Sequence, residues 1–342
     1  MTLTIVSVAY PFAPVDADPA GGSEQVLAAI DRALVAAGHR SIVIAAAGSR
    51  PVGAFRAVPA PNGPIEGDQW ERAHAAIRAH LAEVIADERP DLVHLHGFDF
   101  GSYVPAPGLP VLVTLHLPLA WYTPAWLRPT RPRTWLQPVS ADQAARAEPG
   151  VPLLDPVPNG VDLDRYRPAP KRDHLLVIGR VAPEKGFHDA IDAARIAGVP
   201  LIAAGQVFAY AEHEQYFAEE VAPRLDAERR FIGPVAGAEK AALLAGARAV
   251  LIPSTAAETS SLVAMEALAS GTPVIAYRSG ALPGIVEDGV TGFLVDDVVG
   301  MADAIARIDA IDPAACRRAA EARFGLNDTL ARYLALYERL SR

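Results

Sequence analysis

Residues 249–277 constrain the fold more than any other stretch of this chain. Ala249–Ile252 is a short apolar run, and a Pro-Ser-Thr turn follows it. Leu262, Met265, Leu268 and Ala269 then recur at helical spacing. Ser270-Gly271 stops that helix, Pro273 comes after the stop, and Val274-Ile275-Ala276 reads as the next buried strand. Strand, turn, helix and strand in so short a span mark an α/β unit. The unit carries two acids, Glu258 just before the helix start and Glu266 about two turns in.

That placement suits a long, charged sugar ligand. At about 1.5 Å of rise per residue, the first turn and Glu266 lie roughly 9 Å apart or less along the axis. The helix start offers free N–H groups and the positive end of a dipole, which suit a phosphate. Glu266 falls on a largely apolar face, where an unpaired carboxylate is costly. A sugar diol supplies two hydrogen bonds to such a group, and Glu258 can do the same for a second sugar beyond the phosphates. A solvated glutamate or a buried ion pair fits the same spacing, since E-x7-E also arises by chance.

The alternation of strands and helices extends along the chain. Leu3–Ala9 is a strand, Ala20-Gly21-Gly22-Ser23-Glu24 opens a helix with Val26, Leu27, Ile30 and Leu34 on one face, and residues 41–46 form the next strand. No G-x-G-x-x-G follows the first strand, so this is not the dinucleotide fingerprint. Gly21 and Gly22 either admit a ligand close to the backbone or simply turn the chain. A helix over 69–87 leads to strands at 91–95 and 111–115, the second ending at His116. A polar residue at the carboxyl end of a parallel strand is placed for a ligand, and His116 can hydrogen-bond a donor sugar. His94 and His96 read as structural, and no metal-ligand spacing links these histidines to carboxylates. Trp121–Trp135 mixes Trp121, Tyr122, Trp126 and Trp135 with Arg128, Arg131, Arg133 and prolines. It fits an acceptor-binding loop, a membrane-surface contact, or a proline-stiffened connection whose rings cover the core.

After a Pro-rich linker at 168–172 the alternation restarts with a strand at 174–178, then Gly179-Arg180 and Lys185-Gly186 at the entry to a helix over 187–197. Arg180 and Lys185 straddle this turn. Two cations beside a diphosphate hold it and stabilise its charge as it leaves, although two solvated surface charges fit as well. Lysine is scarce here: Lys171, Lys185 and Lys240 stand among 31 basic residues, so each one stands out.

A chain of 342 residues exceeds one ordinary core. The expected architecture is two Rossmann-like, doubly wound α/β domains facing a cleft: residues 1–163, residues 164–324, and a last helix over 325–342 returning to the first domain. A formal charge of −9 argues against bulk attraction to nucleic acid. The lone Cys316 cannot form an internal disulfide, which points to a reducing, cytoplasmic setting. The opening residues lack a basic segment and read as a strand instead of a signal peptide, and no apolar run nears the roughly 20 residues of a membrane span.

Four motifs then stand in order: Asn159-Gly160-Val161-Asp162, the Gly-Arg to Lys-Gly turn at 179–186, Glu258 with Glu266, and Ala269-Ser270-Gly271-Thr272-Pro273-Val274-Ile275. The ordered set resembles glycosyltransferase family 4, retaining hexosyltransferases of the GT-B fold, over nearly the whole chain. The compact length is similar to that of antibiotic-pathway members. The resemblance implies a nucleotide-sugar donor, often UDP-linked, and an acceptor that is a small molecule, an oligosaccharide or a lipid-linked group. It assigns Glu266 to the ribose hydroxyls, Arg180 and Lys185 to the diphosphate, and Glu258 to the donor sugar. Ser260, Ser261 and Leu262 would hold phosphates through backbone N–H groups, Phe231 and Ile232 would meet the base, His116 would lie near the sugar, and Gly21-Gly22 near the phosphates and acceptor. One departure is Glu258-Thr259-Ser260-Ser261, where many members carry Gly or Pro after the first Glu. Front-face transfer without metal or cofactor is expected, with Asp16-Ala17-Asp18 and Asp162-Leu163-Asp164 as loop acids. A nucleotide-sugar epimerase or a noncatalytic sugar-nucleotide-binding protein would fit the same fold, whereas an NAD oxidoreductase lacks its fingerprint.

Overall fold

Short apolar strands buried on both faces organise each half of the chain, the mark of parallel sheets covered by helices. The structure, a computed structural model, describes residues 2–342 apart from 18, 20, 62 and 64. Asp18 of the first acidic pair and Ala20 of the glycine turn therefore lie outside the described residues. The chain divides into two compact units, one running up to Pro158 and taking in Thr329–Arg342, the other Asn159–Asp328. Each is described by itself.

The first unit runs β1 (Thr4–Val8), α1 (Gly22–Ala36), β2 (Arg40–Ala46), β3 (Ala54–Val58), α2 (Gly67–Glu88), β4 (Leu92–Leu95), β5 (Val111–Leu115), β6 (Thr134–Pro138) and α3 (Ala141–Ala145). Its six-stranded sheet has the order β3-β2-β1-β4-β5-β6, and every neighbouring pair is parallel. The chain builds outward from β1 on one side, returns, and builds outward from β4 on the other. The strand order reverses between β1 and β4, and ligands of such sheets bind beyond the carboxyl ends at that point.

The second unit repeats the plan with β7 (Leu175–Arg180), α4 (Phe187–Ala197), β8 (Leu201–Gln206), α5 (Ala211–Tyr216), β9 (Arg229–Phe231), α6 (Gly237–Gly246), β10 (Ala249–Ile252), α7 (Leu262–Ala269), β11 (Val274–Tyr277), α8 (Leu282–Ile285), β12 (Gly292–Val295), α9 (Val298–Arg307) and α10 (Pro313–Arg323). The order is β12-β11-β10-β7-β8-β9, again all parallel, so the reversal lies between β7 and β10. All of α7 except Val263 is buried, as expected of a helix that is apolar almost all round. The final helix, α11 (Leu326–Leu340), belongs to the first unit from Thr329 onward, where Tyr333 and Tyr337 are buried. Among the described residues no helix is long and apolar enough to cross a membrane.

Candidate functional site

Two glycines shape the reversal point of the second unit. Gly186, at the N-terminus of α4, has φ 64°, and a Cβ on it would fall 2.2 Å from the Pro253 carbonyl oxygen. The turn after β7 therefore packs backbone to backbone against the loop after β10, and Thr255 N donates to Glu184 O at 3.0 Å. On the far side Gly280, at φ 55°, would place a Cβ 2.1 Å from Glu258 O, while Ala281 N donates to that same oxygen at 2.7 Å. Only glycine tolerates both the left-handed backbone and the close approach. The loop carrying Glu258 is thus held between two turns.

This packing brings three of the expected residues together. Lys185 Nζ lies 2.5 Å from Glu258 Oε1, and Ser254 Oγ donates to the same oxygen at 2.6 Å. Arg180 Nη2 pairs with Glu184 Oε1 at 2.6 Å. Burial pushes the Glu258 carboxyl up, but the Lys185 ammonium, the Ser254 hydroxyl and the Arg180 charge outweigh it and hold the group below its ordinary value. Each expected phosphate-binding cation is therefore paired with an acid of its own unit. Both cations keep partial solvent exposure, so these pairs are exchangeable ones.

The spacing alone puts Glu266 about two turns into its helix; the structure puts it one turn in. Ser261 adopts an extended backbone and its Oγ accepts from Ala264 N at 3.4 Å, which caps α7 and starts it at Leu262. Glu266 is only 1% exposed. Its Oε1 accepts from Lys240 Nζ at 2.6 Å and from the Tyr166 hydroxyl at 2.9 Å. Its Oε2 is buried with no hydrogen-bond partner, and so is the Ser260 hydroxyl, two residues before the start of the helix. Buried polar atoms are nearly always partnered, so these two make the start of this helix a candidate ligand site. Sequence reasoning missed Lys240 and Tyr166 as the partners of Glu266. The scarcity of lysine was the one signal for the first, and nothing local marks the second.

Phe231 and Ile232 lie at the end of β9, two strands out from β7. Phe231 packs its ring 4.9 Å from that of Phe217, and Ile232 is 41% exposed. Asp162 Oδ1 accepts from the backbone N–H groups of Asp164 and Arg165 at 3.0 and 3.2 Å, the bonding of a loop acid. Among the described residues no three of His, Cys, Asp and Glu are grouped as metal ligands.

In the first unit Gly21 caps α1, and a Cβ there would fall 1.9 Å from Glu24 Oε2, so the missing side chain leaves room for the carboxylate of the same turn. Gly22, the first helical residue, is exposed. His116 follows β5, and its Nε2 lies 3.0 Å from His96 Nδ1. In the 121–135 segment Trp126 packs against the core and lies 5.6 Å from Phe100, while Trp121 is exposed. Arg131 donates to the carbonyls of Pro105, Ala106 and Leu109, Arg133 to those of Leu340 and Arg342, and Arg128 pairs with Glu148. The arginines thus tie this segment to its own unit.

The glycosyl transferases group 1 family model matches residues 172–309, and the Glycosyltransferase Family 4 model matches residues 20–165. Glycogen synthase of Mycobacterium tuberculosis is 30% identical over an alignment of 379 positions that covers 94% of this chain and 89% of that protein. The chain is a family 4 glycosyltransferase. Its GT-B fold is shared with a glycosyltransferase involved in avilamycin A biosynthesis, 28% identical with a TM-score of 0.73 over 99% of this chain and 98% of that one. This glycosyltransferase also shares its fold with the Anabaena protein HepE, solved in complex with UDP and glucose, at 19% identity and a TM-score of 0.74 over 98% and 99% of the two chains.

Proposed function

We propose that this glycosyltransferase moves a hexosyl group from a UDP-sugar to an acceptor hydroxyl, keeps the anomeric configuration, and needs no metal ion. The observation that carries the reading is Glu266 Oε2, buried and unpartnered one turn into α7. The ribose hydroxyls of the donor donate to that oxygen. The backbone N–H groups of Ser260, Ser261 and Leu262 and the positive end of α7 hold the phosphates. Arg180 and Lys185 exchange Glu184 and Glu258 for oxygens of the donor diphosphate, which carries two negative charges over its two phosphoryl groups. That exchange frees Glu258 to accept from a hydroxyl of the donor sugar. His116, at the carboxyl end of β5, is a second candidate partner for a sugar hydroxyl. Phe231 and Ile232 offer apolar surface to the base.

In the transfer step the bond from the anomeric carbon to the phosphate oxygen breaks, and the acceptor oxygen bonds to that carbon on the same face. The acceptor proton passes to the departing phosphate oxygen, and UDP leaves with its charge held by Arg180, Lys185 and the helix end. The acceptor is a hydroxyl of a small molecule, an oligosaccharide or a lipid-linked group. Transfer assays with UDP-, GDP- and ADP-sugars, with the product anomer read by proton NMR and EDTA present throughout, test this reading. UDP-dependent, EDTA-resistant transfer with retained configuration is expected. An inverted product, a preference for another base, or activity restored only by Mn²⁺ after chelation would contradict it.

A further inference from the structure

The transfer step above uses neither the Asn159-Gly160-Val161-Asp162 motif nor the Pro-rich stretch after it, yet this segment is bonded to both helices of the Glu266–Lys240 pair. It is fixed first at Val161, whose N–H donates to Phe324 O at 2.8 Å and whose carbonyl accepts from Leu326 N at 3.1 Å. Asp162 then closes a turn. Its Oδ1 accepts from Asp164 N and Arg165 N, and its carbonyl accepts from Arg165 N and Tyr166 N, both at 3.2 Å. From α10, Arg317 Nη1 donates to the carbonyls of Leu163 at 3.0 Å, Tyr166 at 2.6 Å and Ala269 at 2.8 Å. One guanidinium thus joins the turn to the last residue of α7.

The other end of the segment is anchored on the helix ends. Gly271 follows α7 at φ 63°, and a Cβ on it would fall 3.3 Å from Pro168 Cβ. Lys171 Nζ donates to Ala245 O at 2.8 Å, to Ser270 O at 3.2 Å and to Thr272 Oγ1 at 2.5 Å, and Arg172 N donates to Gly246 O at 2.8 Å. These are the C-terminal ends of α6 and α7, where a cation also meets the negative end of each helix dipole. Tyr166 is buried between the two anchors. Its hydroxyl donates to Glu266 Oε1, and its ring centroid lies 5.8 Å from Lys240 Nζ. An ionised carboxylate only accepts, so the direction of that hydrogen bond is fixed. The terminal torsion of a glutamate is a broad one. Tyr166 and Lys240 both donate to Oε1, which holds the group and leaves Oε2 without a partner. With Lys240 alone the carboxylate is free to turn, and the ammonium can bridge both oxygens.

We propose that Tyr166 and Asp162 are positioning residues of the nucleotide site: the Asp162 turn aims the Tyr166 hydroxyl at Glu266 Oε1 and so keeps Oε2 for the ribose of the donor. The role rests on the reading of Glu266 as the ribose anchor. Tyr166→Phe keeps the ring beside Lys240 and removes only the hydroxyl. By titration calorimetry its affinity for UDP should fall about five- to tenfold, the worth of one hydrogen bond. KM for the UDP-sugar should rise by the same factor with kcat unchanged, a split that a general loss of stability does not produce. Asp162 is exposed, so replacing it leaves the core intact. Asp162→Ala removes the acceptor of the turn and should weaken UDP binding about fivefold, whereas Asp162→Asn keeps an acceptor oxygen there and should bind as the parent protein does. Added to Tyr166→Phe, Asp162→Ala should weaken UDP no further, because it acts through the hydroxyl already lost. Equal affinity for UDP in the parent and Tyr166→Phe proteins would overturn the role of the hydroxyl. Additive losses in the double variant, or an Asp162→Asn protein as weak as Asp162→Ala, would overturn that of the turn. A parent protein that binds no UDP would sink the reading of the function itself, and the positioning role with it.

Discussion

Lys240 Nζ lies 2.6 Å from Glu266 Oε1, with the lysine 9% and the glutamate 1% exposed. The pair, completed by Tyr166, engages one oxygen of the carboxylate and leaves the other for a ligand. Breaking a buried pair from one side leaves an uncompensated charge. Lys240→Met should therefore cost about 3–5 kcal/mol of stability, as should Glu266→Gln. The double variant should recover part of that loss without recovering affinity for UDP. Denaturant unfolding and calorimetry of the three proteins check this, and additive stability losses would contradict it.

Lys185 sits in a different regime, because its pair with Glu258 is partly exposed. Lys185→Ala should lower the melting temperature less than Lys240→Met, because the lysine is partly exposed and water can reach the Glu258 it leaves. Its effect should fall on the rate, since a cation at the leaving diphosphate acts in the transition state. A loss in kcat on the order of 10²-fold or more is expected. Steady-state kinetics beside a thermal melt separate the two, and an unchanged kcat would remove Lys185 from the mechanism.

Gly186→Ala tests how the turn holds these groups. The substitution forces a Cβ into a left-handed backbone 2.2 Å from Pro253 O. The backbone conformation alone costs about 1–2 kcal/mol, and relieving the clash must move the turn that carries Lys185. Lower stability together with weaker donor binding is expected. Lower stability with full donor affinity would show that the turn position is not needed for binding.

Acidification should destabilise the protein in two steps. His94 and His96 have depressed values when folded, so an unfolded chain takes up protons first as pH falls below about 6.5, and each histidine can remove up to about 1.4 kcal/mol of stability per pH unit. Glu258 is also depressed when folded, so its contribution is present above about 4.5 and is lost below it. Melting temperature followed from pH 7.5 to 4 should fall from about pH 6.5 downward. His96→Asn should flatten the upper part of that curve, and an unaltered slope would contradict the assignment.

The repeated strand-helix pattern and the Glu258–Glu266 stretch were legible because apolar periodicity and glycine or proline stops are local signals. β3 and β6 were not. Ala54–Val58 is an outer strand with one fully buried residue, and Thr134–Pro138 emerges from a segment dominated by Trp, Arg and Pro. The residues proposed for the site can be named from the sequence, but their pairings cannot. Lys240 and Glu266 sit on different helices, and Lys185 meets Glu258 only because Gly186 permits the close approach. His94 and His96 read as structural because the pattern shows one face of one strand. Their bonds to Thr114 and His116 appear only when β4 and β5 are set side by side.

The central claim is that the free oxygen of Glu266 takes the ribose hydroxyls of the donor nucleotide, and it can be tested on the unaltered protein from the ligand's side. Titration calorimetry of UDP against 2′,3′-dideoxyuridine diphosphate is the measurement. Loss of the hydroxyls that donate to a buried carboxylate should weaken binding by about tenfold or more. Equal affinities for the two nucleotides would place the ribose away from Glu266 and contradict the account.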